Sequence, residues 1–304
     1  YQDFSVYENL SYNRSFGNHD IQSALTYHIF SISKNGIEEP QRIQSGVWTG
    51  MYSYNDKYSI TGVLNYAGTY TLDKNNRYKL FPSVGASWVI SEESFMSNLK
   101  FINYLKLRAE AGILGYENFM SPFFYRDRWN INSSGVVFGA YSNGQWFGSS
   151  TDNPVYRTSA GRIGNPELTW EKRKEFSIGL DGLILNQKLS FELNYYNNLR
   201  DGQISQLPNS MPYYLGISAA LPSINFNKTR YFGIETGIQF SDNSGLLKYS
   251  VGGNATIQNS KIVKNDELEY RFEYQKRVGR PVDTYWGQKY VGKFQSDAEA
   301  LDVP

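Results

Sequence analysis

Few side chains in this sequence have the types and spacing that catalysis requires. Glu92 and Glu93 are neighbouring carboxylates that follow Ser91, an arrangement typical of a helix N-cap with an acidic first turn. We therefore predict a short capped helix there rather than an acid–base pair. His28 lies on the polar side of an alternating segment, where lining a polar surface explains it better than a role as base or metal ligand.

The composition removes most other catalytic and cofactor chemistry. The 304 residues contain no cysteine and two histidines, which excludes thiolate catalysis, disulfides and Cys- or His-rich metal sites. The glycines of segment 135–144 lack the Gly-Lys-Ser/Thr sequence of a phosphate-binding loop. A net charge of +1 gives no basis for nucleic-acid binding. We expect a protein that is not an enzyme and holds no cofactor or metal.

Aromatic rings offer a different chemistry, because their flat apolar faces stack on sugars and pack against peptides. Tyrosine, phenylalanine and tryptophan make up 16% of the chain, and several stand in a segment rich in glycine, serine and asparagine. We predict that this segment binds substrate through five rings: Trp129, Tyr141, Trp146, Phe147 and Tyr156. The alternative is that the rings anchor their own loop or contact a partner protein.

The segments that position this loop alternate between apolar and polar residues. Segment 104–114 has apolar side chains at every second position and charged residues between them, which places the two sets on opposite faces of a strand. This pattern and its repeats predict that eight residues share one polar face: Lys106, Arg108, Glu110, Glu175, Asp181, Glu192, Asn194 and Glu235. The simplest role for these mixed charges is pairing across strands.

Connections between the strand-like segments alternate in length. Turns after the odd-numbered strands are short or hold a compact helix, whereas those after even-numbered strands are longer, including loops near 116–169 and 200–227. An eleventh strand is expected near 285–294. No window approaches 18 uninterrupted apolar residues, but strands of about ten residues can cross a bilayer when tilted.

This pattern predicts an all-β, antiparallel, up-and-down transmembrane β-barrel, since short turns at one end and long loops at the other are typical of outer-membrane barrels. The polar face would line the lumen and the apolar face would meet lipid. Tyrosines near strand ends fit the aromatic girdles of such barrels: Tyr12, Tyr27, Tyr54, Tyr58, Tyr66, Tyr195 and Tyr196.

Two other kinds of protein would also show alternating strands. One is an all-β adhesin or carbohydrate-binding module, which would use the aromatic loop for stacking, although soluble β-sandwiches have shorter strands and a polar outer face. The other is a β-rich glycan-degrading enzyme, which would need a cleft with paired carboxylates.

Several segments, taken in order, resemble the SusC/RagA family of TonB-dependent outer-membrane transporters of Bacteroidota. The most recognisable is FPSVGASWVISEESFM at 81–96, followed by LKLR at 105–108. The others are YSYNDKY at 52–58, NPELTWE at 165–171, FSIGLD at 176–181, YYNNLRD at 195–201, GIE at 233–235, GRP at 279–281 and GKF at 292–294. Two segments depart from the family: YAGTY at 66–70 replaces an Arg-Asp-Gly-Ser run, and Tyr116-Glu-Asn118 replaces a Gly-Asn ending.

The resemblance implies about eleven strands of a larger, 22-stranded barrel in the bacterial outer membrane. Residues 1–304 would form a partial barrel domain without the plug domain and the remaining strands, with long extracellular loops and short periplasmic turns. It also implies import of oligosaccharides or peptides, powered through the TonB complex acting on the plug, with a SusD-like surface lipoprotein closing over the long loops. Some polar-face residues would then contact the plug.

Overall fold

The computed structural model describes residues 2–33, 40–117, 123–135, 137–138, 145–146, 156–212, 214, 221–244, 247–288, 290 and 292–293. For residues 130–160 within these ranges, the backbone alone is described. Fourteen strands are present in the described residues. Their bounds are β1 Gln2–Phe16, β2 His19–Ser33, β3 Gln41–Tyr54, β4 Tyr58–Thr69, β5 Tyr78–Val89, β6 Ile102–Tyr116, β7 Arg128–Gly135, β8 Val137–Phe138, β9 Gln145–Trp146, β10 Tyr156–Arg162, β11 Glu171–Ile184, β12 Leu189–Ser205, β13 Ile224–Ser244 and β14 Leu247–Lys264.

Ten of these strands form one antiparallel sheet in the order β1-β2-β3-β4-β5-β6-β11-β12-β13-β14. Each strand pairs with its neighbours in the chain, apart from the insertion of β7–β10 between β6 and β11. The all-β, antiparallel up-and-down architecture expected from the sequence is confirmed. The barrel is not closed within this chain, because β1 and β14 are the two edges of the sheet.

The main strands are long, from 12 residues in β4 and β5 to 21 in β13. This length suits a tilted crossing of a bilayer, which takes about 9–11 residues. The described part of segment 285–294 contains no strand, so the eleventh strand expected there is absent from those residues. No helix in the described ranges has the length and apolar character needed to span a membrane.

Connections alternate in length as expected. Gly17 and Asn18 join β1 to β2, residues 55–57 join β3 to β4, and residues 185–188 join β11 to β12. Asn55 and Asp56 both have φ of 55°, a left-handed conformation that asparagine and aspartate tolerate better than most residues. At the opposite end, β6 is joined to β11 by residues 117–170 and β12 to β13 by residues 206–223.

The connector between β5 and β6 corrects a detail of the sequence interpretation. It contains two 3₁₀-helices, Ile90–Glu92 and Ser94–Met96, and neither has a side-chain cap. Ser91 lies inside the first of them and does not act as an N-cap. The cause is tertiary, because Glu93 accepts hydrogen bonds from Tyr58 and Trp88 and so links the connector to the sheet.

The second long loop is shorter than the 200–227 expected, because β12 continues through Ser205 and β13 begins at Ile224. Hydrogen bonds remote in sequence extend the strands. Glu171 Oε1 accepts from the Ile204 amide at 2.7 Å, and Asn225 Nδ2 donates to the Gly202 carbonyl at 2.8 Å. A register shift next to Gly202, whose φ is +70°, accommodates the extra residue.

Five of the seven buried hydrophobic residues in the described chain form one cluster at the long-loop end: Ala67, Leu72, Phe81, Leu168 and Trp170. Ile113, Phe124 and Ile204 pack against it. Along the rest of the main strands, large hydrophobic side chains are exposed, among them Leu10, Ile60, Leu193 and Ile257. Buried packing therefore fixes the bases of the loops, whereas the sheet presents its apolar residues outward.

Candidate functional site

The apolar residues of β11–β14 lie in register on one face of the sheet. Ile178 pairs with Tyr195, which pairs with Ile234, which pairs with Ile257. The same face of β11 is apolar or glycine at every second position from Phe176 to Ile184. Eight residues at about 3.3 Å each, tilted by about 40°, give a band about 20 Å tall. This height is close to the lipid-facing band of outer-membrane barrels.

The opposite face is polar and forms an open cavity of about 880 Å³. Five of the eight residues predicted for the polar face line this cavity: Arg108, Glu110, Glu175, Asn194 and Glu235. The other three lie opposite one another in strand register: Lys106 on β6 is opposite Asp181 on β11, which is opposite Glu192 on β12. The structure thus places all eight on one face of the sheet, and their role in lining a lumen stays a prediction.

Most of these charges have partners on neighbouring strands. Arg108 Nε lies 3.1 Å from Asp181 Oδ2, and Ser177 Oγ donates to Glu110 Oε1 at 2.6 Å. Asn194 Nδ2 approaches Glu235 Oε2 at 3.5 Å. Cross-strand pairing is therefore one role that these residues already fulfil.

Gly179 makes the contact between Arg108 and Asp181 possible. It faces Arg108 directly across the β6–β11 pair, and a Cβ atom at this position would lie 2.6 Å from Arg108 Cζ. The missing side chain lets the guanidinium lie across β11 and reach Asp181 two residues further along. A glycine within the FSIGLD motif thus has a steric explanation.

Sequence reasoning missed several cavity residues. Tyr196, Arg200, Tyr231 and Arg173 also line the cavity, and Arg200 Cζ lies 5.1 Å from the centre of the Tyr231 ring. Tyr196 was expected in an aromatic girdle, and this prediction is wrong because the residue lies on the polar face with Asn194. Strict alternation from Asn194 would have identified it.

The aromatic loop is described in part. Trp129 lies on β7, which pairs with β10 opposite Ala160, and its side chain is 63% exposed. Trp146 lies on β9 and Tyr156 begins β10, but their side chains are outside the description. Tyr141 and Phe147 lie outside the described residues. Their predicted role in binding substrate stays a prediction.

The bases of the long loops are joined by asparagine side chains and one tryptophan. Asn165 Nδ2 donates to the Ser223 carbonyl at 2.8 Å, and Asn225 exchanges hydrogen bonds of 2.9 Å with the backbone of Thr169. Trp170 Nε1 donates to the Arg77 carbonyl at 2.8 Å, which reaches the shorter loop after β4. The NPELTWE motif thus ties three loops together at the rim.

The short-turn end of the sheet carries a cluster of aromatic residues. Tyr58 and Trp88 stack with ring centres 6.5 Å apart, and both donate hydrogen bonds to Glu93. His19 lies 5.2 Å from the Phe16 ring at the neighbouring turn. Rings with one polar atom at the end of an apolar band are the composition of an interfacial girdle.

Two carboxylates next to the strands have shifted pKa values. The hydrogen bond from Tyr58, followed by that from Trp88, lowers the pKa of Glu93. Burial raises the pKa of Glu117, directly after β6, and a hydrogen bond from Thr69 opposes this in part. Within the described ranges, no cluster of three histidine or acidic side chains could hold a metal ion.

A meander of long strands with one apolar face, one polar face and long loops at one end defines the wall of an outer-membrane β-barrel. The family described as "TonB dependent receptor-like, beta-barrel" matches residues 41–300. The chain belongs to this family, and the outer membrane is its location. The resemblance seen in the sequence is therefore confirmed, and a soluble all-β adhesin or carbohydrate-binding module does not fit it.

Two curated relatives illustrate the match. TonB-dependent receptor P26 of Formosa agariphila is 29% identical over 82% of this chain and 24% of its own length. TonB-dependent receptor SusC of Bacteroides thetaiotaomicron is 25% identical over 77% of this chain and 22% of its own length. The chain thus spans about a quarter of the curated relatives it matches.

Among solved structures, the RagAB peptide transporter superposes with a TM-score of 0.72. The two share 17% sequence identity over 91% of this chain and 32% of the matched chain. The RagAB peptide importer in its "closed-closed" state gives the same TM-score at 16% identity. At these identities the likeness establishes the fold alone.

Proposed function

We propose that this chain forms part of the barrel wall of a TonB-dependent importer of oligosaccharides or peptides. The single observation that carries the proposal is the pairing of an apolar sheet face with a polar face that forms an open cavity of about 880 Å³. A wall between lipid and an aqueous path needs these two faces. Membership of the TonB-dependent receptor family supports the energy source.

In this proposal the eight polar-face residues face the lumen, and the short turns lie in the periplasm. The loops 117–170 and 206–223 extend from the cell surface. The packed cluster around Trp170, which is 4% exposed, holds their bases at the rim. A rigid loop base and an exposed ring such as Trp129 suit a surface that captures substrate before transport.

The proposed partner is a SusD-like surface lipoprotein that closes over the long loops, with TonB acting through the plug domain of the full-length protein. The likeness to SusC and the structural likeness to RagAB support this partner. The proposed activity is transport without covalent chemistry. The structurally similar RagAB is a peptide importer, which supports peptides as one of the two proposed substrate classes.

Growth of a strain that lacks the full-length transporter tests the proposal. The parent, the deletion strain and the deletion strain carrying the gene on a plasmid are compared on single oligosaccharides and on peptides as sole carbon or nitrogen source. We expect loss of growth on one class, rescued by the intact gene but not by a gene whose plug cannot contact TonB. Equal growth of all strains on every oligosaccharide and peptide would contradict an import function.

A further inference from the structure

Above the apolar band of β11–β14, at the long-loop end, the same face of the sheet becomes cationic. Lys172 pairs with Asp201, which pairs with Lys228, which pairs with Lys264. Two residues closer to the band, Lys174 pairs with Leu199, which pairs with Arg230, which pairs with Lys261. These two rows form what we call the rim cluster: Lys172, Lys174, Lys228, Arg230, Lys261, Lys264 and Asp201.

Cations outnumber carboxylates in the rim cluster by six to one. Asp201 bridges two of them, since its carboxylate oxygens lie 2.7 Å from Lys174 Nζ and 2.8 Å from Lys228 Nζ. Lys264 Nζ lies 3.7 Å from the centre of the Phe226 ring. Within the described residues no ion pair engages Lys172, Arg230 or Lys261.

Two carboxylates that follow β14 in the sequence bind backbone amides. Asp266 Oδ2 accepts from the Asn209 amide at 2.8 Å, and Glu267 Oε1 accepts from the amides of Arg277 and Val278 at 2.6 and 3.0 Å. Neither carboxylate forms an ion pair with a cation of the rim cluster, so the cluster keeps its excess of cations. The short-turn end of the same strands differs, because Lys188 there is matched by Asp242 at 2.8 Å.

The position of the cluster indicates what it meets. The row of Lys174, Leu199 and Arg230 is the one closer to the apolar band. Two residues further along β11 and β13, the same face carries Phe176 and Phe232, the first aromatic residues of that band. Lys174 and Lys172 lie two and four residues beyond Phe176 on β11. At this distance from the apolar band, long lysine and arginine side chains reach the depth of the lipid headgroups. Among headgroup components, phosphate is the anion that a cluster of such side chains attracts.

We propose that the rim cluster binds the phosphate groups of lipids in the leaflet that surrounds the long-loop end of the barrel. Lys172, Arg230 and Lys261 supply charge that no carboxylate of the described chain neutralises. Asp201 holds Lys174 and Lys228 in place, and Leu199 together with the phenylalanines below contacts the acyl chains. The proposal rests on the lipid-facing assignment of this face and concerns the headgroup, not the imported substrate.

Native mass spectrometry of the full-length transporter tests the proposal, with monophosphoryl lipid A as probe and its dephosphorylated form as the comparison. The test variant replaces Lys172, Arg230 and Lys261 with glutamine. Each cation contributes about fivefold near a charged interface, so the three together should weaken binding of the phosphorylated lipid about 100-fold. The swap K172R, R230K and K261R keeps the charges and should bind as the parent does.

The matched control replaces Arg173 and Arg200 with glutamine, because these arginines lie at neighbouring positions on the opposite face. Its lipid binding should stay within about twofold of the parent, as charges across the sheet are screened. Heat-dependent gel mobility shows that each variant is a folded barrel, which separates this test from the import proposal.

Several results would overturn the headgroup site. One is unchanged lipid binding in the three-charge variant, and another is an equal loss in the control. Equal binding of the dephosphorylated lipid would also refute it, as would displacement by inorganic phosphate at the same concentration as the lipid. If the variant keeps its lipid but loses an acidic partner protein, the cluster is a protein interface instead.

Discussion

Leu193 and Asn194 are adjacent on β12 and provide a matched test of which face meets lipid. Leu193 is 46% exposed and is paired with Leu180 on β11, in the middle of the apolar band. Asn194 lines the cavity beside Glu235. Arginine introduced at the two positions adds the same charge to opposite faces of one strand, with the same backbone on either side.

The expected magnitude follows from depth. Leu193 stands four residues from Leu189 at the short-turn end of the band and four from Asn197 towards the other end. Four residues at about 3.3 Å, tilted by about 40°, correspond to about 10 Å of membrane depth on either side. Leu193 thus lies near the bilayer midplane, where an arginine costs about 2–4 kcal/mol. Asn194→Arg gains Glu235 as a neighbour and should cost less than about 1 kcal/mol.

The free energy of unfolding of the full-length transporter, measured in phospholipid vesicles by denaturant titration, distinguishes the two variants. We expect the free energy of unfolding of Leu193→Arg to be lower than that of Asn194→Arg by about 1–3 kcal/mol. Equal losses in the two variants, or a larger loss in Asn194→Arg, would refute the assignment of the faces.

Three further predictions concern single side chains. Gly179→Ala should cost about 1 kcal/mol by displacing Arg108 from its partly exposed ion pair with Asp181, and the cost should vanish in an Arg108→Ala background when unfolding is measured in both. Trp129→Ala should weaken substrate capture in a surface-binding assay without changing heat-dependent gel mobility, and unchanged capture would remove the stacking role. Glu93→Gln should lower thermal stability at neutral pH, because the lowered pKa of Glu93 means that its anion is stabilised by Tyr58 in the folded state. That difference should shrink as the pH falls below about 4.5, the ordinary value, and a gap that persists in acid would contradict it.

Alternation predicted the two faces correctly because a strand places every second side chain on the same side whatever its neighbours are. The pairing of β11 with β12 illustrates this, because it has no register shift from Lys172 to Ile184 and every second residue therefore stays on the same face. The order of short and long connections was predictable for a separate reason: turn residues such as Asn55 and Asp56 act locally.

Contacts remote in sequence account for what the sequence did not predict. Asn225 reaches Thr169, 56 positions away, and the extension of β12 and β13 depends on such bonds. Glu93 reaches Tyr58, 35 positions away, and bonds there instead of contributing to a capped helix. The rim cluster could not be predicted from the sequence either, because its cations come from three strands and become neighbours only through strand register.

The proposed barrel wall requires one apolar face towards lipid and one polar face away from it. Spin labels at single cysteines along 189–196 of β12, introduced into a cysteine-free full-length transporter in vesicles, measure this position by position. Collision with oxygen, which dissolves in lipid, should be high at 189, 191, 193 and 195 and low at the even positions. A profile without period two, or one with its maxima at the even positions, would contradict the account.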